Sequence, residues 1–400
     1  MSRITVIGLE GATLGAEARR LLEEAMLVVG GRRQLERLGI GSERAAYLEG
    51  DLSEGLGRIE EAEGPVVVLA SGDPGFFGIV RLLGERFGAE NLRVFPGVSS
   101  VALAFARAGL SWDDAITVSA HGRDPRRAVN VCRTHPKVAV LTSPEFGPGE
   151  LARELAGWER TFFVAEKLGE PDERTFGGRA EEIADLEWRD PNVVLVLDEG
   201  RATGRRGWIS SGIESPGRWA LPEDAFEHRS GMITKLETRA LVLARLGPGT
   251  GDLVWDIGAG SGSVAIECAR HGAAAVAVER DPESCARIRE NATRHGACVR
   301  VVEGEAPETL HDLPEPDAVF IGGSGDAFEE IVKVCAVRAR RSVVLTLVTL
   351  ERVLPAEEIL EDCGLEVESI LLQASRVRGI GALHRLAAGT PVFIVSGRRP

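Results

Sequence analysis

The sequence predicts an α/β protein in two halves, the second a Rossmann-like, doubly wound sheet with an antiparallel edge pair. Three observations carry this. Short apolar runs alternate with amphipathic stretches along most of the 400 residues, the pattern of repeated βα units. Several of those runs end in a glycine-containing turn. The alternation breaks over 199–230, where Gly200, Gly204, Gly207, Gly212, Pro216, Gly217 and Pro222 follow no period. The length suits two or three domains. The expected units are 1–200 and 231–400, with 201–230 as a linker packed on the surface.

The first half opens on a strand, Arg3 to Gly8. No charged head with a long apolar stretch precedes it, so no secretory leader is expected, and the expected location is cytoplasmic. A helix over Leu14 to Glu24 and a strand over Met26 to Gly30 follow. Val66 to Ala70 is a continuous apolar run, as in a strand covered on both faces. It runs into the turn cluster Ser71-Gly72-Asp73-Pro74-Gly75. Further strands are expected at Leu92 to Phe95, Ile116 to Ser119, Val138 to Thr142, Thr161 to Val164 and Val193 to Leu197.

The second half begins with a helix over Glu237 to Arg245. Strands are expected at Asp252 to Ile257, Ala275 to Val278, Val299 to Val302, Ala318 to Ile321 and Val343 to Leu347. Helical stretches near 263–271, 282–294, 305–310 and 326–338 fill the first four gaps, which makes these strands parallel. The last two, Glu366 to Leu371 and Pro391 to Val395, have no clear helix between them and are expected as the antiparallel edge pair. No short tandem repeat is present.

Composition narrows the function. Hydrophobic residues make up 44% and charged residues 27%, which excludes a mostly disordered chain. With 61 acidic against 47 basic residues and a net charge of −14, neither nucleic acid nor an anionic membrane is an expected partner. Ser342 to Leu350 is among the longest apolar runs and falls short of the roughly 18 residues of a membrane helix. The six cysteines form no C-x-x-C and have no His cluster beside them, so no metal site is expected and the thiols read as reduced.

The strongest local signal is Val254-Trp255-Asp256-Ile257-Gly258-Ala259-Gly260-Ser261-Gly262-Ser263. Alternate glycines let the backbone turn after a strand and approach a ligand. The next helix points its free N–H groups at that ligand. A dinucleotide fingerprint needs Gly or Ala where Ser263 stands, which argues against a nicotinamide-dependent dehydrogenase. Asp256 two residues before the first glycine completes the pattern strand-D-x-G-x-G-x-G of an S-adenosyl-L-methionine (AdoMet) methyltransferase. Glu279 ends the next strand, where a carboxylate accepts from ribose hydroxyls. Glu303, Gly304 and Ala306 end the third strand and are expected at the adenine edge. Gly322 and Gly323 end the fourth, where cofactor and substrate should meet. Turn-making alone is the alternative for each loop taken singly.

The first half is punctuated differently. Gly8-Leu9-Glu10-Gly11, Ser71 to Gly78, Pro96-Gly97-Val98-Ser99-Ser100 and Ser119-Ala120-His121-Gly122-Arg123 each follow an expected strand. They therefore gather at the carboxyl edge, where open α/β sheets bind ligands. Together they resemble the tetrapyrrole methylase superfamily, whose two small αβ subdomains bind AdoMet between them. Over essentially its whole length the chain is similar to the precorrin-6Y C5,15-methyltransferase (decarboxylating) family, in which two methyltransferases are fused. The N-half carries this through Val29-Gly30-Gly31-Arg32-Arg33, the loops just named and Trp112-Asp113-Asp114-Ala115. The C-half carries it through Met232-Ile233-Thr234-Lys235, the Asp256 to Gly262 loop, Phe320 to Ser324 and Val348-Thr349-Leu350-Glu351.

The resemblance implies methylation of precorrin-6B at C5 and C15, with loss of the C12 acetate carboxyl, to give precorrin-8X in cobalamin biosynthesis. It implies one AdoMet per domain. In the N-half the cofactor would lie against Gly8, Gly72, Asp73, Phe76, Gly78, Pro96, Ser99 and Ser100. In the C-half it would lie against Asp256, Gly258, Gly260, Gly262, Ser263, Glu279, Glu303, Gly304, Ala306, Gly322 and Gly323. It also implies a homo-oligomer, up to a tetramer, assembled through the C-half. Three positions depart from the family pattern: the first loop lacks its proline, Thr346 stands for Asn, and Glu305 for Asp.

Methyl transfer is an in-line displacement that needs alignment and exclusion of water more than a metal or covalent nucleophile. An acidic protein must supply local positive charge to a substrate rimmed by carboxylates. After Glu368 there is no acid, but Arg376, Arg378, Arg385, Arg398 and Arg399 are present. A second basic run spans Arg123 to Lys137. Arg is suited to bidentate carboxylate contacts, so Arg376, Arg378, Arg385, Arg126 and Arg127 are the expected substrate clamps; a solvated basic face is the alternative. Lys235, Thr234 and His121 are the catalytic candidates. Helix capping is the plain role for Thr234, and a satisfied loop histidine that for His121. The competing functions are an AdoMet-dependent RNA or protein methyltransferase and a non-catalytic AdoMet sensor.

Overall fold

The computed structural model describes residues 4–9, 14–48, 52–201, 218–229 and 233–400. Expectations that fall on Arg3, Glu10, Gly11, the glycines and proline from Gly204 to Gly217, and Met232 lie outside these. Among the described residues no helix is long and apolar enough to cross a membrane.

The first sheet is built from β1 (Ile4–Leu9), α1 (Ala16–Glu24), β2 (Leu27–Gly30), α2 (Arg32–Arg37), β3 (Ala45–Tyr47), α3 (Ser53–Glu61), β4 (Val66–Ser71), α4 (Val80–Phe87) and β5 (Leu92–Phe95). Its order is β3-β2-β4-β1-β5, with every pairing parallel. The aliphatic runs of β1, β2 and β4 are buried on both faces, as crossover helices on both sides require. β3 has only three residues, Ala45-Ala46-Tyr47, with one of them buried, too short for a period to show in the sequence.

The second sheet follows α5 (Ser100–Ala108) and contains β6 (Ile116–Ser119), α6 (Arg126–Thr134), β7 (Lys137–Leu141), α7 (Pro148–Glu154), β8 (Thr161–Glu166), β9 (Arg174–Arg179), α8 (Ala180–Ala184) and β10 (Asn192–Leu197). The order is β6-β7-β10-β8-β9, antiparallel except for β6 with β7. β9 was not expected. Its Arg174-Thr175-Phe176-Gly177-Gly178-Arg179 lies largely exposed at the sheet edge, where no apolar pattern is required.

The third sheet comprises α9 (Leu236–Leu246), β11 (Leu253–Ile257), α10 (Ser263–Arg270), β12 (Ala274–Glu279), α11 (Pro282–Arg294), β13 (Val299–Glu303), β14 (Ala318–Ile321), α12 (Phe328–Arg338), β15 (Ser342–Leu347), α13 (Val353–Asp362), β16 (Glu366–Leu372), β17 (Ser375–Ile380), β18 (Leu383–Ala388) and β19 (Val392–Arg398). Seven strands run β13-β12-β11-β14-β15-β19-β16, the first five parallel. β19 inserts antiparallel between β15 and β16, so the expected antiparallel pair is present with β16 outermost. The order turns back at β11 and β14, which opens a crevice at their carboxyl ends. α11 begins at Asp281, whose carboxylate accepts from Ser284 N at 3.2 Å, with Pro282 in the first turn. Two elements were not expected. α13 carries Pro355 in its first turn, where proline is tolerated. The hairpin of β17 and β18 stands apart as a two-stranded sheet and is exposed along most of its length.

Candidate active sites

In the C-half, the glycine loop leaves β11 and meets the end of β14. Gly258 N donates to Val278 O at 3.0 Å, and Gly322 N to Ile257 O at 2.9 Å. A Cβ on Gly258 would lie 2.3 Å from Gly323 O, and its φ is +68°. Only glycine satisfies both constraints. Gly260 has φ +56°, and a Cβ there meets no protein atom within 4 Å. Glu279 ties the loop to β12: it accepts from Gly260 N at 2.8 Å and from Asp281 N at 3.0 Å. This cradle of small residues around a carboxylate fits the aminoacyl and ribose parts of AdoMet.

The loop opens onto a cavity of about 1720 Å³. Of the expected site residues, Thr234, Lys235, Gly258, Gly260, Ser263, Glu279, Gly322, Gly323, Arg376 and Arg378 line it, as does Thr346. Glu303, Gly304 and Ala306 are not among its lining residues. The space a Gly304 side chain would need is taken by Thr309, and Ala306 packs on the core. Gly262 turns inward against Ile288. Arg385 also lies outside the lining, although the hairpin register sets it opposite Arg378.

Asp256 lies beneath the loop, fully buried. Its Oδ2 accepts from Ala265 N at 2.9 Å, while Oδ1 has no partner. Burial pushes its pKa up to about 7, against the Ala265 N–H and helped by the Glu279 charge. In the unfolded chain the carboxyl titrates near pH 4. Between about pH 4 and 7 the folded protein keeps a proton that the unfolded chain has lost. This contribution to stability is complete below pH 4 and lost as pH rises to 7. Asp256→Asn keeps the acceptor and should remove that slope. Urea unfolding at pH 5 and pH 7.5 should therefore show the variant gaining on the parent as pH rises.

The segment expected as a surface linker forms one wall of the cavity. Residues 218–229 bring Glu223, His228 and Arg229 to it. The wall is fastened from inside. Glu267 accepts from Leu221 N at 2.6 Å, and the buried Arg239 donates to Leu221 O and, at 2.6 Å, to Thr234 O. The Asn291 amide takes Glu227 N at 2.8 Å and donates to Glu227 O and to Ser261 O, both at 2.9 Å. One side chain thus holds the wall to the glycine loop. Nothing in the local sequence flags this, because the partners lie up to 64 residues apart.

Several expected roles are corrected. Thr234 does not cap α9; Lys235 is the capping position, and it too makes no side-chain cap bond. Arg376 pairs with Glu223 at 2.8 Å and Glu237 at 3.0 Å and holds the Glu237 carboxyl below its usual range. It ties the hairpin to the wall and to α9, so it is not a free clamp. Arg126 is paired with Asp317 at 2.5 Å, and Arg127 packs beside Gly251. Arg126 thus joins the two halves, while Arg127 lays its stem beside the C-half and stays exposed. The basic run around them is not a patch either: Arg133 is buried with Asn130 and Glu154, and Lys137 with Asp114.

In the N-half, three loops converge at the carboxyl edge of β1, β4 and β5. A Cβ on Gly8 would lie 2.1 Å from Gly72 O and 2.4 Å from Gly97 N, so the carboxyl end of β1 is close-packed against the other two loops. A Cβ on Gly72 would meet Val98 O at 3.2 Å, and one on Gly78 would meet Pro74 O at 2.4 Å. Asp73 closes its own turn, accepting from Gly75 N at 2.8 Å. Ser99 caps α5 through Ala102 N at 3.1 Å, and Pro96 and Ser100 flank that turn. Phe76 packs against a core formed by α5 and the second sheet, bridging the subdomains. His121 is on the exposed turn after β6, where its backbone N–H donates to Ser119 Oγ at 3.3 Å.

Comparison with known proteins follows the same division. A family described as tetrapyrrole (corrin/porphyrin) methylases matches residues 8–184, and one described as a precorrin methyltransferase domain matches 224–399. A precorrin-6Y C(5,15)-methyltransferase (decarboxylating) from Sinorhizobium is 39% identical over 365 residues, covering 85% of this chain and 82% of its own. That from Mycobacterium tuberculosis is 34% identical, covering 86% of each. A crystal structure of a precorrin-6Y C5,15-methyltransferase from Geobacter metallireducens is 37% identical, with a TM-score of 0.43, and covers 46% of this chain and 97% of that one. With both methylase units in one chain and a relative aligned along most of it, the chain belongs to the decarboxylating precorrin-6Y C5,15-methyltransferases, methyl-transferring enzymes of cobalamin biosynthesis.

Proposed function

We propose that the C-terminal cavity methylates C15 of precorrin-6B and removes the C12 acetate carboxyl, that the N-terminal half methylates C5, and that each half holds one AdoMet. The observation that carries the C-half assignment is the closure of the Gly258 loop against Gly323 at the mouth of a cavity of about 1720 Å³. That space accommodates a macrocycle beside the cofactor. When bound, the sulfonium supplies an electrophilic methyl group. The chain's own task is to align the carbon with it and exclude water. The glycine-loop backbone and Glu279 hold the cofactor. Lys235, Arg229, Arg352 and Arg378, all on the cavity wall, meet substrate carboxylates. On decarboxylation the electron pair of the broken C–C bond stays with the ring system, and a proton replaces the carboxyl. In the N-half, the Gly8, Gly72 and Pro96 to Ser100 loops hold the second cofactor, and His121 orients substrate. A cytoplasmic location suits a pathway of soluble intermediates.

The test is the mass of precorrin-6B before and after incubation with AdoMet and the protein. Two added methyl groups and one lost carbon dioxide are expected. An unchanged mass with AdoMet bound would overturn the substrate and favour an RNA or protein target.

Arg376 offers a sharper check on the cavity's charge. Arg376→Ala leaves Glu223 and Glu237 uncompensated on the wall, and KM for the carboxylate-rimmed substrate should rise about tenfold. Glu223→Gln should not raise it. Steady-state kinetics of the C15 step measures both.

Self-association through the C-half is supported by the hairpin. Leu386 and its cross-strand partner Val377 are 71% and 66% exposed on one face of the hairpin, and Leu383 and Ile380 are 74% and 55% exposed on the other, apolar surface that favours burial against another chain. Leu386→Asp should shift the sedimentation of the protein toward the monomer.

A further inference from the structure

The described contacts between the halves come from the second sheet's helix α6 and from the connection between α7 and β8. Arg126 Nη1 pairs with Asp317 at 2.5 Å, and Asn130 Nδ2 donates to Gly251 O at 3.0 Å. Arg160 Nη2 donates to Cys298 Sγ, which donates to Arg133 O, both at 3.3 Å. Trp158 is buried in the core of the C-half sheet.

The receiving residues have one thing in common. Gly251, Asp317 and Cys298 stand just before β11, β14 and β13. They are the amino edge of the parallel sheet. The cavity lies at the opposite edge: Gly258, Glu279 and Gly322 follow or end β11, β12 and β14. Strands of four to six residues separate the two edges by about 13–20 Å at about 3.3 Å per residue. The interface is also filled, with Arg160 and Trp158 buried, so among the described residues no passage crosses it. The N-half cofactor loops belong to the first sheet, a subdomain further from the cavity along the chain.

We infer that the chain has no internal route between its sites, and that the once-processed tetrapyrrole is released to solvent before the other half takes it up. This rests on the two-site reading above. Fusion then serves to keep the two catalysts in equal number and does not channel the intermediate. The second encounter is an ordinary bimolecular association.

Two measurements on the full-length protein test this. In a time course with precorrin-6B and AdoMet, the mass spectrum of the protein-free ultrafiltrate should show the singly methylated species rising and then falling. A tenfold dilution of protein should lengthen the lag before doubly methylated product about tenfold. Separately, a variant blocked in the N-half (Gly97→Val) and one blocked in the C-half (Gly260→Val) should, when mixed, complete the conversion that neither completes alone. Doubly methylated product with no free intermediate and no lag at any dilution would overturn the inference and show hand-over within the chain or between associated subunits. Failure of the parent protein to methylate at either position would instead reject the two-site reading itself. If a variant does not fold, the parent time course alone decides.

Discussion

Gly260→Val is expected to abolish methyl transfer in the C-half while leaving the fold nearly intact. Gly260 lines the cavity, its amide is held by Glu279 at 2.8 Å, and an added Cβ meets no protein atom within 4 Å. The new side chain therefore projects into the cavity, where the proposed cofactor would lie. Its only folding cost is the left-handed backbone at φ +56°, of order 1–2 kcal/mol for a residue with a Cβ. A displacement this close to the reacting groups should lower the C15 rate by about 100-fold or more. Gly258→Val makes the contrast. There the Cβ lies 2.3 Å from Gly323 O, so the loop itself must move and stability falls along with activity. Calorimetry with AdoMet and urea unfolding of both variants separate the two effects. Retained C15 activity in Gly260→Val would remove the glycine loop from the cofactor site.

Trp158→Ala should give the largest loss of stability of the substitutions considered. Trp158 belongs to the N-half by sequence, yet it is 5% exposed and part of the buried core that contains Leu253, Trp255, Leu310 and Leu313 of the C-half. Replacing a buried Trp by Ala costs about 3–5 kcal/mol. Because the ring is shared, the loss should reach both halves. Urea unfolding followed by far-UV circular dichroism should show a lower midpoint, and limited proteolysis should digest the variant faster than the parent. An unchanged midpoint would mean that the halves are not coupled through this residue.

Much of the chemistry was legible in the sequence because it is written in short segments. The Asp256 to Ser263 loop needs alternate glycines on consecutive residues, and β11, β12, β14 and β15 announce themselves by continuous burial. The same logic found the Gly8, Gly72 and Pro96 loops. Residues whose role depends on a distant partner were misread. Arg126 and Arg376 read as clamps in the sequence because it shows positive charge but not what neutralises it; Asp317 lies 191 residues from the first, and Glu223 lies 153 from the second. The β17 and β18 hairpin was missed because it is exposed on both faces and needs no apolar alternation.

The sequence by itself determined the two α/β units, their order, the glycine turns that end their strands and the class of reaction. These follow from local backbone geometry and from burial patterns that repeat over a few residues. Tertiary structure alone decided that residues 218–229 wall the cavity, that Asn291 and Arg239 hold them there, and that the N-half docks on the amino edge of the C-half sheet. Those facts depend on pairings between residues far apart in the chain. Many placements satisfy the same local patterns, and only the packed core and its buried hydrogen bonds select one of them.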